Sequence, residues 1–299
     1  MKIRKAAVAG QFYPGSKNSL TKLIEECFED KEFGPGHKLQ TGSGKRKTIA
    51  AICPHAGYVY SGCAAAWSYD AIFSERAPDV AIILGTTHTG YRKISVFKEG
   101  VWQTPLGQAE IDSAVAATLL EKTSLVQADD TAFLSAYHFR EHNIEVQIPF
   151  IQFCSPSTKI VPITVGSFEF EELEKLGTAI AETIKAVTNK DIVIIASSDM
   201  THMQVHDPNN PDPSVQEQRK RDQAVINGVK NFAPSETFDA AQKTTVCGPQ
   251  TITTAIFAAK ALGASNANIL KYYVSYEKMG STPPCDYSVG YLSATFSYV

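Results

Sequence analysis

Residues 48–58 read Thr-Ile-Ala-Ala-Ile-Cys-Pro-His-Ala-Gly-Tyr. The run Thr48–Cys53 carries no charge and stops at Pro54-His55. Continuous rather than alternating hydrophobicity marks a strand buried on both faces, as in a parallel sheet covered by helices. The same grammar recurs along the chain. Val80–Leu84 runs into Gly85-Thr86-Thr87-His88, and Ile192–Ala196 runs into Ser197-Ser198-Asp199-Met200-Thr201-His202. Ile160–Val165 is a fourth such run, with Pro162 as its one interruption. In open α/β sheets, ligands bind outside the carboxyl ends of the strands. His55, His88 and His202 are therefore expected at one edge of the fold, although they lie far apart in sequence. Gly57, Gly85, Ser197 and Ser198 beside them are small enough for close backbone approach.

Between these runs lie helical patterns. Leu20, Leu23, Ile24, Cys27 and Phe28 fall on one helical face. Further helices are expected over Gly62–Ser74, Ser113–Lys122, Asn143–Cys154, Phe170–Val187, Pro213–Val229 and Gln250–Leu262. Leu270–Tyr276 and Ser288–Phe296 read as closing strands. Thr201–Pro213 is rich in turn residues and reads as a long exposed loop. The Gly-rich, polar stretch from Glu32 to Thr48 reads as a surface loop, and the basic run Lys45-Arg46-Lys47 within it as solvated. Strand alternating with helix is the signature of an α/β layer fold. No composition break divides the chain, so residues 1–299 are read as a single domain with a mostly parallel central sheet and helices on both faces.

Bulk properties narrow the function. Of 299 residues, 43% are hydrophobic and 20% charged, the balance of a chain with a full core. The net charge of −3 argues against a nucleic-acid binder, which would usually show a basic face. No signal-peptide pattern and no run of about eighteen apolar residues appears, so a cytoplasmic protein without membrane insertion is expected. The six cysteines lack CxxC spacing and read mostly as small core residues. GxGxxG, GxxxxGK[ST] and GxSxG are absent, so neither nucleotide use nor a serine nucleophile has support.

Two further segments carry chemistry. In His138-Phe139-Arg140-Glu141-His142-Asn143-Ile144-Glu145, a helix would place His142 and Glu145 on one face. In Thr245-Val246-Cys247-Gly248-Pro249, a thiol precedes a helix start, a location that favours thiolate and hence metal binding. Each of these residues also has a plain structural reading: a strand-end histidine is often only hydrogen-bonded, and a lone cysteine is often an inert buried thiol.

The segments Val8-Ala9-Gly10-Gln11-Phe12-Tyr13-Pro14, Pro54-His55-Ala56-Gly57-Tyr58-Val59-Tyr60-Ser61-Gly62 and Leu84-Gly85-Thr86-Thr87-His88 together resemble the Memo family. So do Trp102-Gln103-Thr104-Pro105-Leu106-Gly107, the run from Glu141 to Phe150, the run from Ser197 to His202, and Cys247-Gly248. The motifs occur in the family's order, ending at Asp286-Tyr287-Ser288-Val289-Gly290-Tyr291, and span nearly the whole chain. The resemblance implies the fold of class III extradiol dioxygenases, which open catechol rings at non-heme iron. It implies metal ligands at His55, His88 and Cys247, a thiolate standing where those enzymes use a carboxylate. Asp199 and His202 are expected to line the pocket, with His142 nearby, as acid or base groups. The cofactor implied is iron(II) or copper, with zinc as a further option. The function expected is redox or oxygenase-type oxidoreductase chemistry on a small molecule. The alternatives are metal carriage without turnover, and a signalling adaptor that takes a phosphopeptide in the same cleft, as animal members are described. Glu145, Asp199 and Asp286 are the acidic groups expected to support the ligand histidines.

Overall fold

A computed structural model describes residues 2–134 and 141–299. His138, Phe139 and Arg140 of the segment noted above lie outside the described residues. Four strands form the parallel heart of a nine-stranded sheet, in the order Thr48–Cys53, Ile192–Ser197, Val80–Gly85, Lys159–Val165. Tyr287–Ser297 pairs antiparallel with Thr48–Cys53 and in turn carries Asn266–Val274 and His202–Gln204. Ile94–Val96 runs antiparallel on Lys159–Val165, with Val126–Gln127 beyond it. A small second sheet joins Ile3–Arg4, Val101–Thr104 and Gly107–Glu110.

The period of two in a strand explains the two cores. Ile52, Val80, Ile82, Leu84, Ile194 and Ala196 point to one face of the sheet, where Leu173, Leu176 and Ile180 of the helix Phe170–Ala186 and Ile252, Ala255 and Ile256 of Pro249–Ala261 meet them. Ala51, Cys53, Ala81, Ile83, Val193 and Ile195 point to the other. There Leu20, Ile24 and Phe28 of Lys17–Glu29 and Tyr69, Ile72 and Phe73 of Tyr58–Phe73 cover them. The expected layers, helices on both faces of a mostly parallel sheet, are thus present, and the strands ending at Cys53, Leu84 and Ala196 run parallel.

Three local readings change. The loop expected over Thr201–Pro213 contains the strand His202–Gln204, paired with Tyr287–Val289. Asn143–Cys154 is not one helix: a 3-10 turn at Glu145–Gln147 precedes an α-helix at Ile148–Cys154, with Pro149 in its first turn. Arg46 is not solvated. Its guanidinium bonds Asp191, Glu75 and the carbonyls of Ile72 and Arg76, tying the Gly-rich loop down. Among the described residues no helix is long and apolar enough to cross a membrane.

Candidate metal centre and its pocket

Each parallel strand delivers its chain to the same sheet edge, and the turns there are tied to one another. After Cys53 the chain leaves the sheet through Pro54 and His55, and Gly57 caps the helix Tyr58–Phe73. The Asp199 carboxylate accepts the backbone N–H groups of His55 (2.7 Å) and Ala56 (3.2 Å), which locks two strand ends together. His202 and Thr245 exchange hydrogen bonds through the Thr245 hydroxyl, which anchors the third turn to the loop that bears Cys247. Gly248 caps the helix Pro249–Ala261, as the Gly-Pro pair suggests. A side chain at Gly248 would strike Ser198, so this loop can sit against the strand end only with glycine there.

The hydrogen-bond network fixes the tautomers of two histidines. His55 is 2% exposed, and its Nδ1 lies 3.0 Å from Ser197 Oγ. The Ser197 hydroxyl spends its proton on the Asn143 carbonyl and accepts from Gln147 Nε2. Its remaining lone pair must therefore accept from His55 Nδ1–H, which leaves the lone pair of His55 on Nε2. That nitrogen faces Cys247 Sγ at 3.1 Å. His88 obeys the same logic. Its Nδ1 is 3.3 Å from Glu141 Oε1, and its backbone N–H donates to Glu141 Oε2. Asn143 Nδ2 has three neighbours for its two protons, Glu141 Oε1 at 2.5 Å, Thr86 O at 2.7 Å and His88 Nδ1 at 3.2 Å; the two shorter contacts take the protons, so His88 Nδ1–H donates to the carboxylate and Nε2 keeps the lone pair. Histidine with one nitrogen donating to a fixed acceptor and the other bare is the arrangement found behind metal ligands.

Donor atoms converge in two groups that share His55. His55, His88 and His142 offer atoms within 4.8 Å of one another, and so do His55, Asp199 and Cys247. His88 and Cys247 meet only through His55; the three sequence-expected ligands do not by themselves make one such group among the described residues. His142 stacks on His88 with ring centres 4.5 Å apart and also touches Phe12 at 4.3 Å. His202 bonds Tyr287 through Nδ1 at 2.9 Å, while its buried Nε2 has no hydrogen-bond partner among the described residues. Around these groups lies a cavity of about 520 Å³ walled by Phe12, Tyr60, Tyr287 and Tyr291 along with the three histidines, Asp199 and His202.

Burial sets the electrostatics. It drives His55 well below the usual histidine range, with the rings of His88, His142 and His202 adding to the effect, so His55 is neutral at pH 7. Burial also pushes Asp199 up to about 7, although the N–H groups of His55 and Ala56 pull the other way. It lowers His202 to about 4, helped by His88 and His142. Cys247 departs from the sequence expectation of a depressed thiol. Desolvation and the nearby Asp199 carboxylate push it well above the usual thiol value, outweighing the Asp199 N–H that donates to Sγ at 3.1 Å. The helix start is present, but its field loses to burial.

Two of the three acidic residues expected behind the ligands serve elsewhere. Glu145 accepts from Arg4, Tyr13 and the backbone of Ala7 and Val8, and so anchors the N-terminal segment. Asp286 contributes its backbone carbonyl to Val205 and Gln204. Glu141 and Ser197 take the supporting roles instead. Glu141 was within reach of sequence reasoning, since it sits beside His142 in the same motif; Ser197 carried no signal beyond its place at a strand end.

The donors fit a metal of borderline to soft character. The His55 lone pair faces the thiol sulfur of Cys247 on one side and the imidazoles of His88 and His142 on the other, with fixed acceptors behind His55 and His88 and aromatic walls around them.

A family model described as Memo-like protein matches residues 4–295. A MEMO1 family protein of Methanopyrus kandleri is 35% identical over 299 residues, covering 98% of each chain. One from Thermococcus onnurineus is 37% identical over 306 residues, covering 98% of this chain and 99% of its own. Among solved structures, an uncharacterised protein of Escherichia coli K12 shares the fold, with a TM-score of 0.52 at 14% identity, over 83% of this chain and 99% of its own. With the motifs, the sheet-edge pocket and full-length relatives in agreement, the chain belongs to the Memo family.

Proposed function

We propose that the pocket binds a redox-active metal, iron(II) or copper, through His55, His88 and Cys247, and works on a small molecule held against its aromatic wall. The observation that carries this reading is the lone pair of His55 Nε2, backed by Ser197 and set 3.1 Å from the Cys247 sulfur, in a residue shared by two groups of possible donors. Zinc suits the same donors. When bound, iron or copper would supply Lewis acidity and one-electron chemistry. The chain's own residues do the rest. Ser197 and Glu141 hold the two imidazoles in the ligating tautomer. Asp199, with a carboxyl poised at about 7, can give or take a proton beside His55. His202 is neutral at pH 7 and presents Nε2 as an acceptor. His142 stacks on His88 and closes the wall next to Phe12.

The test is metal analysis of protein purified without air, followed by an oxygen-uptake screen. Stoichiometric iron or copper with oxygen consumption supports an oxidoreductase. Stoichiometric metal without turnover reduces the reading to metal carriage. The exposed Val59, Tyr60 and Tyr287 favour the adaptor as a second reading, because they would give a peptide apolar anchors near the pocket. Peptide affinity that survives chelation and Cys247→Ser would replace the metal reading with that one.

Two expected outcomes follow from the network. Glu141→Gln keeps the shape but loses the charge behind His88, and metal affinity should fall by about 10–100-fold in a competition titration. The pH dependence comes from Cys247. Its thiol stays protonated in the free protein at pH 7, whereas the bound form needs thiolate. His55 is already neutral there and adds no proton. Affinity should therefore rise by at least about one log unit per pH unit between roughly pH 6 and 8, with Asp199 at about 7 steepening the lower half, and be lost as pH falls. Cys247→Ser should flatten that slope.

A further inference from the structure

Behind the pocket, the helix Asp212–Lys230 changes character halfway along. Its C-terminal half buries Val225, Ile226 and Val229 against the core, as an ordinary covering helix does. Its N-terminal half instead buries Ser214, Gln218 and Asp222, the last two with no exposed surface. A spacing of four places these three in one row on the helix. Each grips the backbone of the same segment, residues 201–206. Asp222 Oδ1 accepts the N–H of Thr201 at 2.8 Å, and Gln218 Nε2 donates to the Thr201 carbonyl at 2.8 Å. Ser214 Oγ accepts the N–H of His206 at 3.1 Å. A row chosen for volume alone would be apolar, since buried amide and carboxyl groups are unfavourable unless hydrogen-bonded.

The turn is held from its other side as well. Gly290, in the strand Tyr287–Ser297, donates its N–H to the Thr201 carbonyl at 3.1 Å and accepts the N–H of Met200 at 2.8 Å. A Cβ at Gly290 would strike Asp222 Oδ2 and Met200 Cβ, so only glycine lets the carboxyl reach the turn past this strand. Tyr272 completes the anchor by donating its hydroxyl to Asp222 Oδ2 at 2.7 Å, while Arg219 pairs with Glu277. Thr201 is fully buried and lies between Asp199 and His202, which both line the cavity. His202 passes the constraint on through Thr245 to the loop that bears Cys247.

We infer that Asp222, aided by Gln218, is the positioning residue of this pocket: it holds the peptide groups on either side of Thr201, and with them the directions in which Asp199 and His202 present their side chains. Neither Asp222 nor Gln218 is among the residues that line the cavity, so both act through the turn. The inference rests on the pocket being the working site, but its signature is a geometry that exists without metal. A helix that only adds stability would, when weakened, loosen the whole domain and leave the His202 ring in place in every folded molecule. A clamp on Thr201 moves that ring when it is cut.

The experiment records the ring Cε1–H NMR signals of the histidines in the metal-free 299-residue chain. His202→Gln assigns His202, and the exposed His37 serves as reference. Asp222→Ala should shift the His202 signal by more than its linewidth and leave His37 unmoved. Asp222→Asn keeps an oxygen for the Thr201 N–H and should return His202 to its wild-type position. Val229→Ala cuts the same helix in its apolar half and should lower Tm without moving His202. In a metal titration Asp222→Ala should bind about tenfold more weakly than wild type, the low end for a residue behind the ligands. If the wild type binds no metal, the metal reading fails while the ring signals still decide the clamp. A His202 signal unmoved in Asp222→Ala, or moved equally by Val229→Ala, overturns the proposal. Should Asp222→Ala fail to fold, Gln218→Leu frees the Thr201 carbonyl from the helix, and the same shift of His202 is expected there.

Discussion

Replacing His55 by Ala should cost more metal affinity than any other single change, a loss above about 100-fold. The bound is set by comparison, since removing a residue behind a ligand already costs about 10–100-fold. His55 is the one side chain common to both donor groups, so its loss leaves His88 with His142 on one side and Asp199 with Cys247 on the other. Neither remainder has three donors. Removing His142 spares the Cys247 group, and removing Cys247 spares the His88 group, so each should retain measurable binding. Isothermal titration under argon, with circular dichroism to confirm folding, decides it. Equal losses for His55→Ala and His142→Ala would show that the two groups do not act through His55.

The largest effect on stability is expected at Glu145, a residue the sequence suggested for the site. Its carboxylate pairs with Arg4 at 2.6 Å, and the two side chains are 1% and 5% exposed. It also accepts from the Tyr13 hydroxyl at 2.7 Å and from the N–H groups of Ala7 and Val8. Glu145→Ala strands the guanidinium in the interior together with those donors. Arg4 keeps the carbonyls of Phe133 and Glu141 and its stacking over Trp102, but no anion. Breaking a buried pair in this way costs about 3–5 kcal/mol. Glu145→Gln retains an acceptor oxygen and should cost less. Urea unfolding at pH 7 reads both. A loss under 1 kcal/mol for the alanine variant would mean that Arg4 finds water or another partner.

Much of this architecture could be read from the chain because the physics was local. Thr48–Cys53, Val80–Gly85 and Ile192–Ser197 are buried on both faces, and such burial leaves a continuous apolar run. The histidines after them were visible because strand ends in a parallel sheet share an edge. What stayed hidden depends on long-range pairing. His202–Gln204 is a three-residue strand recognisable only beside Tyr287–Val289. Glu141 supports His88 from 53 residues away, and Ser197 supports His55 from 142. The helix Pro234–Gln242 shows few apolar residues in PSETFDAAQ, and the start of Tyr58–Phe73 was masked by aromatic and β-branched residues before Gly62. The Cys247 pKa was misjudged because a helix start is visible in sequence and a desolvated pocket is not.

The central claim is that a metal binds in this pocket with Cys247 among its ligands. X-ray absorption on protein loaded anaerobically with one equivalent of iron(II) or copper(I) tests it directly. The account predicts nitrogen scatterers near 2.0–2.1 Å and one sulfur near about 2.3 Å, with the sulfur lost in Cys247→Ser. A shell of nitrogen and oxygen alone, unchanged by Cys247→Ser, would contradict it.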